Sequence, residues 1–318
     1  QRVAVIGLWH QGVVPAACLT EWGYDVVGAD VDPARIARLN EGRAPLFEPG
    51  LDDLLGQGCR TGRLKFTADL RSAVEGRDVV LLMHDTPVSE SDESDLTDII
   101  RAVETMAPGL AQGVVLHVTA QVPVGTCDEI RRTLLSLRPG LSLMVAYSPE
   151  NLRLGQAIER YRKPPLPVLG SDDAGALDRL EMFYAPCGVT WQRTNLRTAE
   201  MSKHALNTFL ALSVTFANEL GNLCDEVGAD GHRLAEILRL EPRVGSKAML
   251  FPGLGFAGGT LARDVQTLRR LGAQLKLATP LLDGLWTSNK VQNSTVVLRL
   301  HRLLGGLRGK KIAVWGLT

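Results

Sequence analysis

The sequence has few aromatic residues and no excess of charge of either sign. Phe, Trp and Tyr make up 5% of its 318 residues, and 35 Lys and Arg balance 35 Asp and Glu. This balance argues against a nucleic-acid-binding module, whose surface is normally basic, and against a membrane binder that uses basic clusters. No apolar run approaches the roughly 18 residues that a membrane-spanning helix needs. The 45% of hydrophobic residues is ordinary for a folded globular protein.

Cysteine is also scarce, and its spacing argues against two kinds of site. The five cysteines lie far apart, without a Cys-x-x-Cys pair or the Cys and His spacing of a zinc site. We therefore expect no disulfide framework and no metal centre, but reduced thiols in a cytoplasmic protein. The chain enters a strand-like segment at residue 3, which leaves no room for a signal peptide before it.

The first 197 residues alternate between strand-like and helical patterns. Several strand-like segments are continuous Val, Leu and Ile runs, which is typical of a parallel sheet covered by helices on both faces. The alternation predicts a Rossmann-type α/β domain with a doubly wound, mostly parallel sheet. The predicted strands cover residues 3–7, 25–29, 78–83, 113–118, 143–147 and 166–169.

Between residues 198 and 305 the pattern is helical, which predicts a second, α-helical domain. The predicted helices cover residues 198–227, 232–240 and 280–304, and a glycine-rich stretch occupies residues 251–259. Residues 310–316 resemble the first strand of another Rossmann unit. We therefore expect residues 306–318 to open a third domain whose remainder is missing from this chain.

The turn after the first strand has the position of a dinucleotide-binding fingerprint. Gly7 and Gly12 match its first and third glycines, and Asp30 ends the second strand, where a carboxylate binds ribose hydroxyls. Trp9 replaces the middle glycine, which normally lets the backbone approach the pyrophosphate. Two interpretations stay open: an NAD site that the indole weakens, and a sheet turn that no longer binds a dinucleotide.

Stronger evidence comes from several motifs that follow one another along the chain. In order they are Glu48-Pro49-Gly50-Leu51, Asp85-Thr86-Pro87, Val122-Pro123-Val124-Gly125-Thr126, Ser148-Pro149-Glu150-Asn151-Leu152-Arg153, Ala199-Glu200-Met201-Ser202-Lys203-His204-Ala205-Leu206-Asn207, Arg243-Val244-Gly245 and Pro252-Gly253-Leu254-Gly255-Phe256. This series resembles the UDP-glucose/GDP-mannose 6-dehydrogenase family over essentially the whole chain. The set is specific, although no single motif is.

The resemblance implies three domains: an NAD-binding Rossmann domain, a central helical domain that forms a homodimer, and a C-terminal domain that holds the nucleotide. It also implies two successive hydride transfers to NAD, which take the C6 alcohol of a nucleotide sugar to a carboxylate. In the family the second transfer passes through a thioester on a cysteine, a nucleophile whose adduct can release a hydride.

Several positions depart from the family's pattern. Thr260 stands where the family has the cysteine, and a hydroxyl ionises far less readily than a thiol. Gln121 replaces a threonine that helps to position the catalytic water in the family, and Leu154 replaces a carboxylate. We therefore expect the thioester route to be closed, and any oxidation to stop at a two-electron step between alcohol and carbonyl.

Four catalytic candidates keep the residue type that the family has. Lys203 and Asn207 are spaced i, i+4 on one helical face, and the resemblance implies that they stabilise negative charge on the reacting oxygen; a solvated Lys and an Asn bonded to nearby backbone are the alternatives. Glu150 is either a site carboxylate or a loop and capping residue. Asp264 holds water or Lys203, or caps a helix that begins at Val265.

The resemblance also implies binding residues. The cofactor set comprises Gly7, Trp9, Gly12, Asp30, Thr86 and Gln121, and the substrate set comprises Arg243, Gly255 and Phe256, with Thr260 at the position of the nucleophile. Arg243 reaches the ligand across the dimer or forms a surface ion pair. An apolar stripe on the long helix predicts a twofold homodimer; it comprises Ala205, Phe209, Leu212, Phe216 and Leu220.

Three functions are compatible with these residues. The first is a divergent, NAD-linked nucleotide-sugar dehydrogenase homologue without the second oxidation. The second is a non-catalytic homologue that binds a ligand or partner, and the third is an enzyme of another reaction type that uses Lys203, Glu150 and Asp264 without NAD. Binding of NAD separates the first from the others, and the sequence does not identify the sugar.

Overall fold

The first part of the chain forms a parallel sheet with helices on both faces. We describe it from a computed structural model, which gives residues 1–89, 94–257 and 260–315. Within these residues eight strands form one sheet in the order β3-β2-β1-β4-β5-β6-β7-β8. They are β1 (Arg2–Ile6), β2 (Asp25–Ala29), β3 (Leu64–Thr67), β4 (Val79–Leu82), β5 (Val114–Val118), β6 (Leu143–Tyr147), β7 (Val168–Gly170) and β8 (Gln192–Thr194). The predicted doubly wound Rossmann-type sheet is confirmed.

All neighbouring strands pair in parallel except β6 and β7, which are antiparallel and meet at Tyr147 and Gly170. The six predicted strands are present, with ends shifted by up to two residues. The sequence prediction missed β3 and β8. Both are short strands at the sheet edges, and β8 consists of three polar residues whose pairing the hydrophobic pattern does not signal.

The sheet separates two hydrophobic cores, which explains the continuous apolar runs of its strands. In β1, Ala4 and Ile6 pack into one core, and Val3 and Val5 pack into the other. All four side chains are fully buried. Because successive strand residues point to opposite faces, a strand buried on both sides is apolar at every position.

The helices that connect the strands precede a longer helical segment. They are α1 (His10–Glu21), α2 (Pro33–Asn40), α3 (Leu51–Arg60), α4 (Leu70–Val74), α5 (Thr97–Met106), α6 (Thr126–Leu137), α7 (Ala157–Arg162) and α8 (Ala174–Phe183), followed by α9 (Leu196–Val227), α10 (Gly231–Leu238), α11 (Leu261–Gln274) and α12 (Pro280–Leu304). The predicted long helix begins two residues earlier than expected, the next ends two residues earlier, and α12 has the predicted bounds. The helical second part is therefore confirmed.

The chain divides into two compact units, residues 1–203 and residues 204–318. The first contains the sheet, and the second has a small core around Ala211, Val265 and Leu285. The proposed domain limits 1–197, 198–305 and 306–318 stay a prediction. Residues 311–315 have no regular secondary structure, so the strand predicted over 310–316 is not formed there, and residues 316–318 lie outside the described ranges. None of the described helices is long and apolar enough to cross a membrane.

Candidate active site

The turn between β1 and α1 has the backbone geometry of a dinucleotide-binding turn. Gly7 has a φ of +90°, a conformation that favours glycine. At Gly12 a Cβ atom would lie 1.8 Å from the carbonyl oxygen of Gly7, so only glycine lets the start of α1 pack against the turn. Backbone conformation at Gly7 and lack of space at Gly12 therefore explain why both predicted fingerprint positions are glycine. The N-terminus of α1 lies at this edge of the sheet, and a helix N-terminus favours a phosphate group.

Asp30 lies at the end of β2 and is almost fully buried. Its Oδ2 accepts hydrogen bonds from the backbone N–H of Leu8 at 2.7 Å and from Arg35 at 2.6 Å, and its Oδ1 accepts one from Asp32 N–H at 3.0 Å. The structure thus ties this carboxylate to the glycine turn, as expected of a ribose-binding residue. Sequence reasoning did not identify Arg35, although it follows Asp30 by five residues.

The Trp9 indole contacts Arg35, whose guanidinium lies over the ring at 5.1 Å from its centroid. Trp9 is 37% exposed. Because Arg35 also binds Asp30, this contact anchors the indole at the predicted ribose end of the turn. The glycines, the helix N-terminus and the Asp30 carboxylate fit a dinucleotide.

The ends of β4 and β5 place the other two predicted cofactor residues together. The Thr86 hydroxyl donates a hydrogen bond to the carbonyl oxygen of Gln121 at 2.8 Å, and both residues are buried. They lie at the carboxyl edge of the parallel strands, where ligands bind in open α/β sheets.

Lys203 is buried and hydrogen-bonded, which contradicts the alternative of a solvated side chain. Its Nζ donates to the carbonyl oxygen of Glu150 at 2.6 Å and reaches Asn151 Oδ1 at 3.5 Å. One helical turn earlier, the buried Glu200 carboxylate accepts hydrogen bonds from the backbone N–H groups of Gly125 at 2.6 Å and Cys127 at 2.9 Å. These bonds fix the start of α9 and thereby the position of the Lys203 ammonium.

The Glu150 side chain lies on the loop between β6 and α7 and accepts the backbone N–H of Leu152. Burial raises the pKa of its carboxyl above the ordinary value, and the nearby Lys203 charge opposes this rise. A carboxyl with a raised pKa beside a fixed cation has the properties of an acid–base group. The local hydrogen bond to Leu152 also agrees with the alternative of a loop-capping role.

Glu48 forms hydrogen bonds with the same loop between β6 and α7. The sequence analysis did not place Glu48 in the site. Its buried carboxylate accepts the N–H groups of Gly155 at 2.7 Å and Ala157 at 2.8 Å, and lies 3.1 Å from His10 Nε2. Burial by itself raises the pKa of the Glu48 carboxyl, but these hydrogen bonds outweigh it and hold the pKa below its ordinary value. Glu48 thus connects the first residue of α1 with the Glu150 loop.

In the second unit, Asp264 is completely buried inside α11, which begins at Leu261. The suggestion that it caps a helix starting at Val265 is therefore wrong, because Thr260 occupies the N-cap position. The Asp264 carboxylate contacts Asn207 Nδ2 at 2.5 Å and His204 Nδ1 at 2.7 Å. The buried Asn207 amide thus bonds a carboxylate across two helices, and not the neighbouring backbone.

The remaining predicted residues of this unit differ in their surroundings. Thr260 is exposed, and its side chain makes no capping hydrogen bond. Arg243 is exposed and pairs with Glu241 at 2.8 Å, which agrees with the surface ion pair. Phe256 is buried in the core of the unit, its backbone N–H and C=O both bonded to the Asn289 side chain at 2.9 Å.

Gly255, the neighbour of Phe256, has no space for a Cβ atom, which would lie 2.8 Å from Asn289 Oδ1. Gly258 and Gly259 of the predicted glycine-rich stretch lie outside the described residues. Within the residues that the structure gives, no group of three or more His, Cys, Asp or Glu side chains is arranged to bind a metal ion.

Comparisons with known proteins match both units. Residues 1–188 match the NAD-binding domain of the UDP-glucose/GDP-mannose dehydrogenase family, and residues 197–291 match its central domain. The chain is 35% identical over its whole length to a UDP-glucose 6-dehydrogenase of Rhizobium meliloti, of which it spans 74%. It is 32% identical to a GDP-mannose 6-dehydrogenase of Pseudomonas putida, of which it spans 73%.

A solved structure is also similar. The UDP-glucose dehydrogenase of the hyperthermophilic archaeon Pyrobaculum islandicum superimposes with a TM-score of 0.90 at 33% sequence identity. This match covers 97% of the present chain and 72% of the archaeal one.

Proposed function

Because this chain belongs to the UDP-glucose/GDP-mannose dehydrogenase family, we propose that it oxidises the C6 alcohol of a nucleotide sugar with NAD. The observation that carries the proposal is the buried Lys203 ammonium, fixed at the Glu150 loop at 2.6 Å. A buried, hydrogen-bonded lysine near a carboxyl with a raised pKa is typical of a catalytic site, where titratable groups are held close together in a buried environment. The substrate class follows from the family.

The first unit supplies the cofactor site in this proposal. NAD, when bound, accepts the hydride from the alcohol carbon. Asp30 would accept hydrogen bonds from the ribose hydroxyls and so favour NAD over NADP. The N-terminus of α1, with Gly7 and Gly12, would hold the pyrophosphate, and Thr86 and Gln121 lie at the same sheet edge. Trp9 lowers the affinity, because the dinucleotide has to displace an indole that Arg35 holds.

Lys203 and Asn207 stabilise the developing alkoxide, since a fixed cation and an amide donor are matched to negative charge on oxygen. Asn207 uses one amide hydrogen for Asp264, and its second hydrogen is the one that donates to the substrate. Glu150 accepts the alcohol proton, because burial brings its pKa towards the neutral range in which a general base works best. Asp264 acts through Asn207 and positions its amide.

We further propose that oxidation stops after one hydride transfer. Thr260 is no substitute for a cysteine thiolate, and a second oxidation without a covalent adduct requires positioned water. Gln121 stands where the family has a threonine that helps to position that water, and Leu154 stands where the family has a carboxylate. In this proposal Arg243, Gly255 and Phe256 form the substrate-binding set.

Assembly is the second part of the proposal. The α9 stripe leaves Phe209 64% and Phe216 48% exposed, and large apolar side chains exposed on one helical face are suited to a protein–protein contact. We propose a twofold homodimer through this face in the cytoplasm, with Arg243 contributed across the dimer. Residues 1–197 and 198–305 are its two proposed domains, and 306–318 the start of a third.

The test is a titration of the full-length protein with NAD, NADP and a panel of UDP- and GDP-sugars, followed by mass spectrometry of the products. We expect weak NAD binding and an aldehyde at one NADH per sugar. A uronic acid at two NADH per sugar would refute the two-electron limit, and tight NADP binding would refute the role of Asp30.

A second candidate function is favoured by Trp9 alone, whose anchoring by Arg35 opposes dinucleotide entry. In that case the chain is a non-catalytic homologue that binds a nucleotide sugar or a protein partner. Absence of NAD binding at millimolar concentration, with retained binding of a nucleotide sugar, is the result that supports it.

A further inference from the structure

His204 is a buried titratable side chain to which the proposed reaction gives no role. Only 1% of its surface is exposed, and its Nδ1 lies 2.7 Å from Asp264 Oδ1. Asn207 Nδ2 lies 2.5 Å from the other oxygen of the same carboxylate. One carboxylate of α11 therefore joins two side chains of α9, which are spaced i, i+3 and share one helical face.

The chemistry of the three groups fixes the direction of each hydrogen bond. An ionised carboxylate only accepts hydrogen bonds, so Asn207 must present its amide nitrogen and His204 must carry a hydrogen on Nδ1. The Asn207 amide orientation, which decides whether it offers a donor to the substrate, is therefore set by Asp264. The Asp264 carboxylate is in turn prevented from rotating by the His204 bond on its second oxygen.

We propose that His204 is a positioning residue for the alcohol oxidation, which acts through Asp264 to hold the Asn207 amide with its second N–H towards the reacting oxygen. The inference rests on the proposed function. It requires only contacts within the second unit. The role of the buried histidine is to donate its Nδ1–H to the Asp264 carboxylate and so fix the orientation of that carboxylate.

Three substitutions separate this task from simple packing. In His204→Asn the side-chain nitrogen occupies the place of Nδ1, whereas in His204→Gln it is one bond further out, near the place of Nε2. His204→Leu removes the donor and fills the same space with an apolar side chain of similar size. Asn and Gln have the same functional group, so they are matched controls for polarity in a buried position.

The first measurement is turnover with NAD and the sugar substrate found in the panel. We expect His204→Asn to retain kcat within about threefold, and His204→Gln and His204→Leu to lose about 10- to 100-fold, which is the cost of misplacing a group by about an ångström. The Kd for NAD, measured by calorimetry, should stay unchanged in all three variants. Melting temperatures show which losses come from unfolding.

The second measurement does not depend on activity. With ¹⁵N-labelled asparagine, the Asn207 side-chain amide should give one strongly downfield proton, because it donates to a carboxylate. This signal should persist in His204→Asn and shift upfield or broaden in His204→Gln and His204→Leu, and Asn207→Ala assigns it.

Equal kcat in the Asn and Gln variants, or an unmoved Asn207 signal in His204→Leu, would overturn the inference. The two proposals fail differently. A wild type that binds NAD and oxidises no nucleotide sugar refutes the proposed function and the positioning role with it, whereas an active wild type with indifferent His204 variants refutes only the positioning role.

Discussion

Replacement of Trp9 by glycine should strengthen NAD binding, because the indole lies against the predicted ribose end of the cofactor turn. To admit a dinucleotide the ring must leave the Arg35 guanidinium, which stacks on it at 5.1 Å. An exposed cation–π contact contributes about 0.5–1 kcal/mol, and an off-rotamer side chain costs about 0.5–1.5 kcal/mol. Removal of both costs makes NAD binding more favourable by about 1–2.5 kcal/mol, which corresponds to about a 5- to 60-fold lower Kd.

The fold itself should tolerate the change. Trp9 is the N-cap of α1 and makes no side-chain capping bond, and glycine is an accepted N-cap residue. Arg35 keeps its bond to Asp30, so the ribose carboxylate stays in place. The ring-preserving control is Trp9→Phe, in which we expect the Kd to change by about twofold or less, because the stacked ring remains.

Isothermal titration with NAD at fixed pH and salt is the assay, with the melting temperature of each variant as the check on folding. If Trp9→Gly binds NAD more weakly than wild type while it melts at the same temperature, the steric reasoning is wrong. The indole would then be a platform that contacts the cofactor.

Three further predictions concern the scaffold, the assembly and the nucleophile. Glu48→Gln should lower the unfolding free energy at pH 7 by about 2 kcal/mol, since one of the two N–H donors loses its acceptor. Because the folded pKa of Glu48 is lowered, the stabilisation by its carboxylate is present above the unfolded pKa near 4.5 and disappears as the pH falls through the folded pKa. Thermal melts of both proteins from pH 7 to 3 measure this loss. Phe216→Asp should convert a dimer into a monomer in sedimentation at tens of micromolar, and a wild type that is already monomeric contradicts the assembly. Thr260→Cys alone should give at most slow acid formation by mass spectrometry, and its combination with Gln121→Thr and Leu154→Glu should give more; fast uronic acid formation by the wild type contradicts this.

Local patterns were sufficient to predict most of the sheet and the glycine turn between β1 and α1. The central strands are apolar at most positions, and Gly7, Gly12 and Asp30 keep fixed spacings along one β-α-β unit. The polar edge strand β8 was missed because its stability comes from backbone pairing with β7. Its sequence carries no periodic signal.

The contacts that hold the site were not predictable, because each joins residues far apart in the chain. Glu48 bonds Gly155 and Ala157, more than a hundred positions away, and Asp264 bonds His204 sixty positions away. Nothing in the local sequence distinguishes these carboxylates from solvated ones. The prediction that Asp264 caps a helix was wrong for the same reason, since its hydrogen bonds to the buried His204 and Asn207 outweigh a local capping preference.

The positions that differ from the family's pattern are mostly the ones that the scaffold does not need. Thr260 is exposed, Leu154 is 60% exposed and Trp9 is 37% exposed, so a change at each costs little packing. The carboxylates of Glu48, Glu200 and Asp264, in contrast, are buried and bonded to specific donors, and removal of any one leaves buried groups unpaired.

A chain that was losing its fold would show substitutions in both groups of positions. Here the changed positions lie where the family contacts a cofactor, a nucleophile or a water, and Gln121 is one of them although it is buried. This distribution agrees with the proposed change of reaction on a maintained framework, because the exposed positions can be exchanged at little cost in packing.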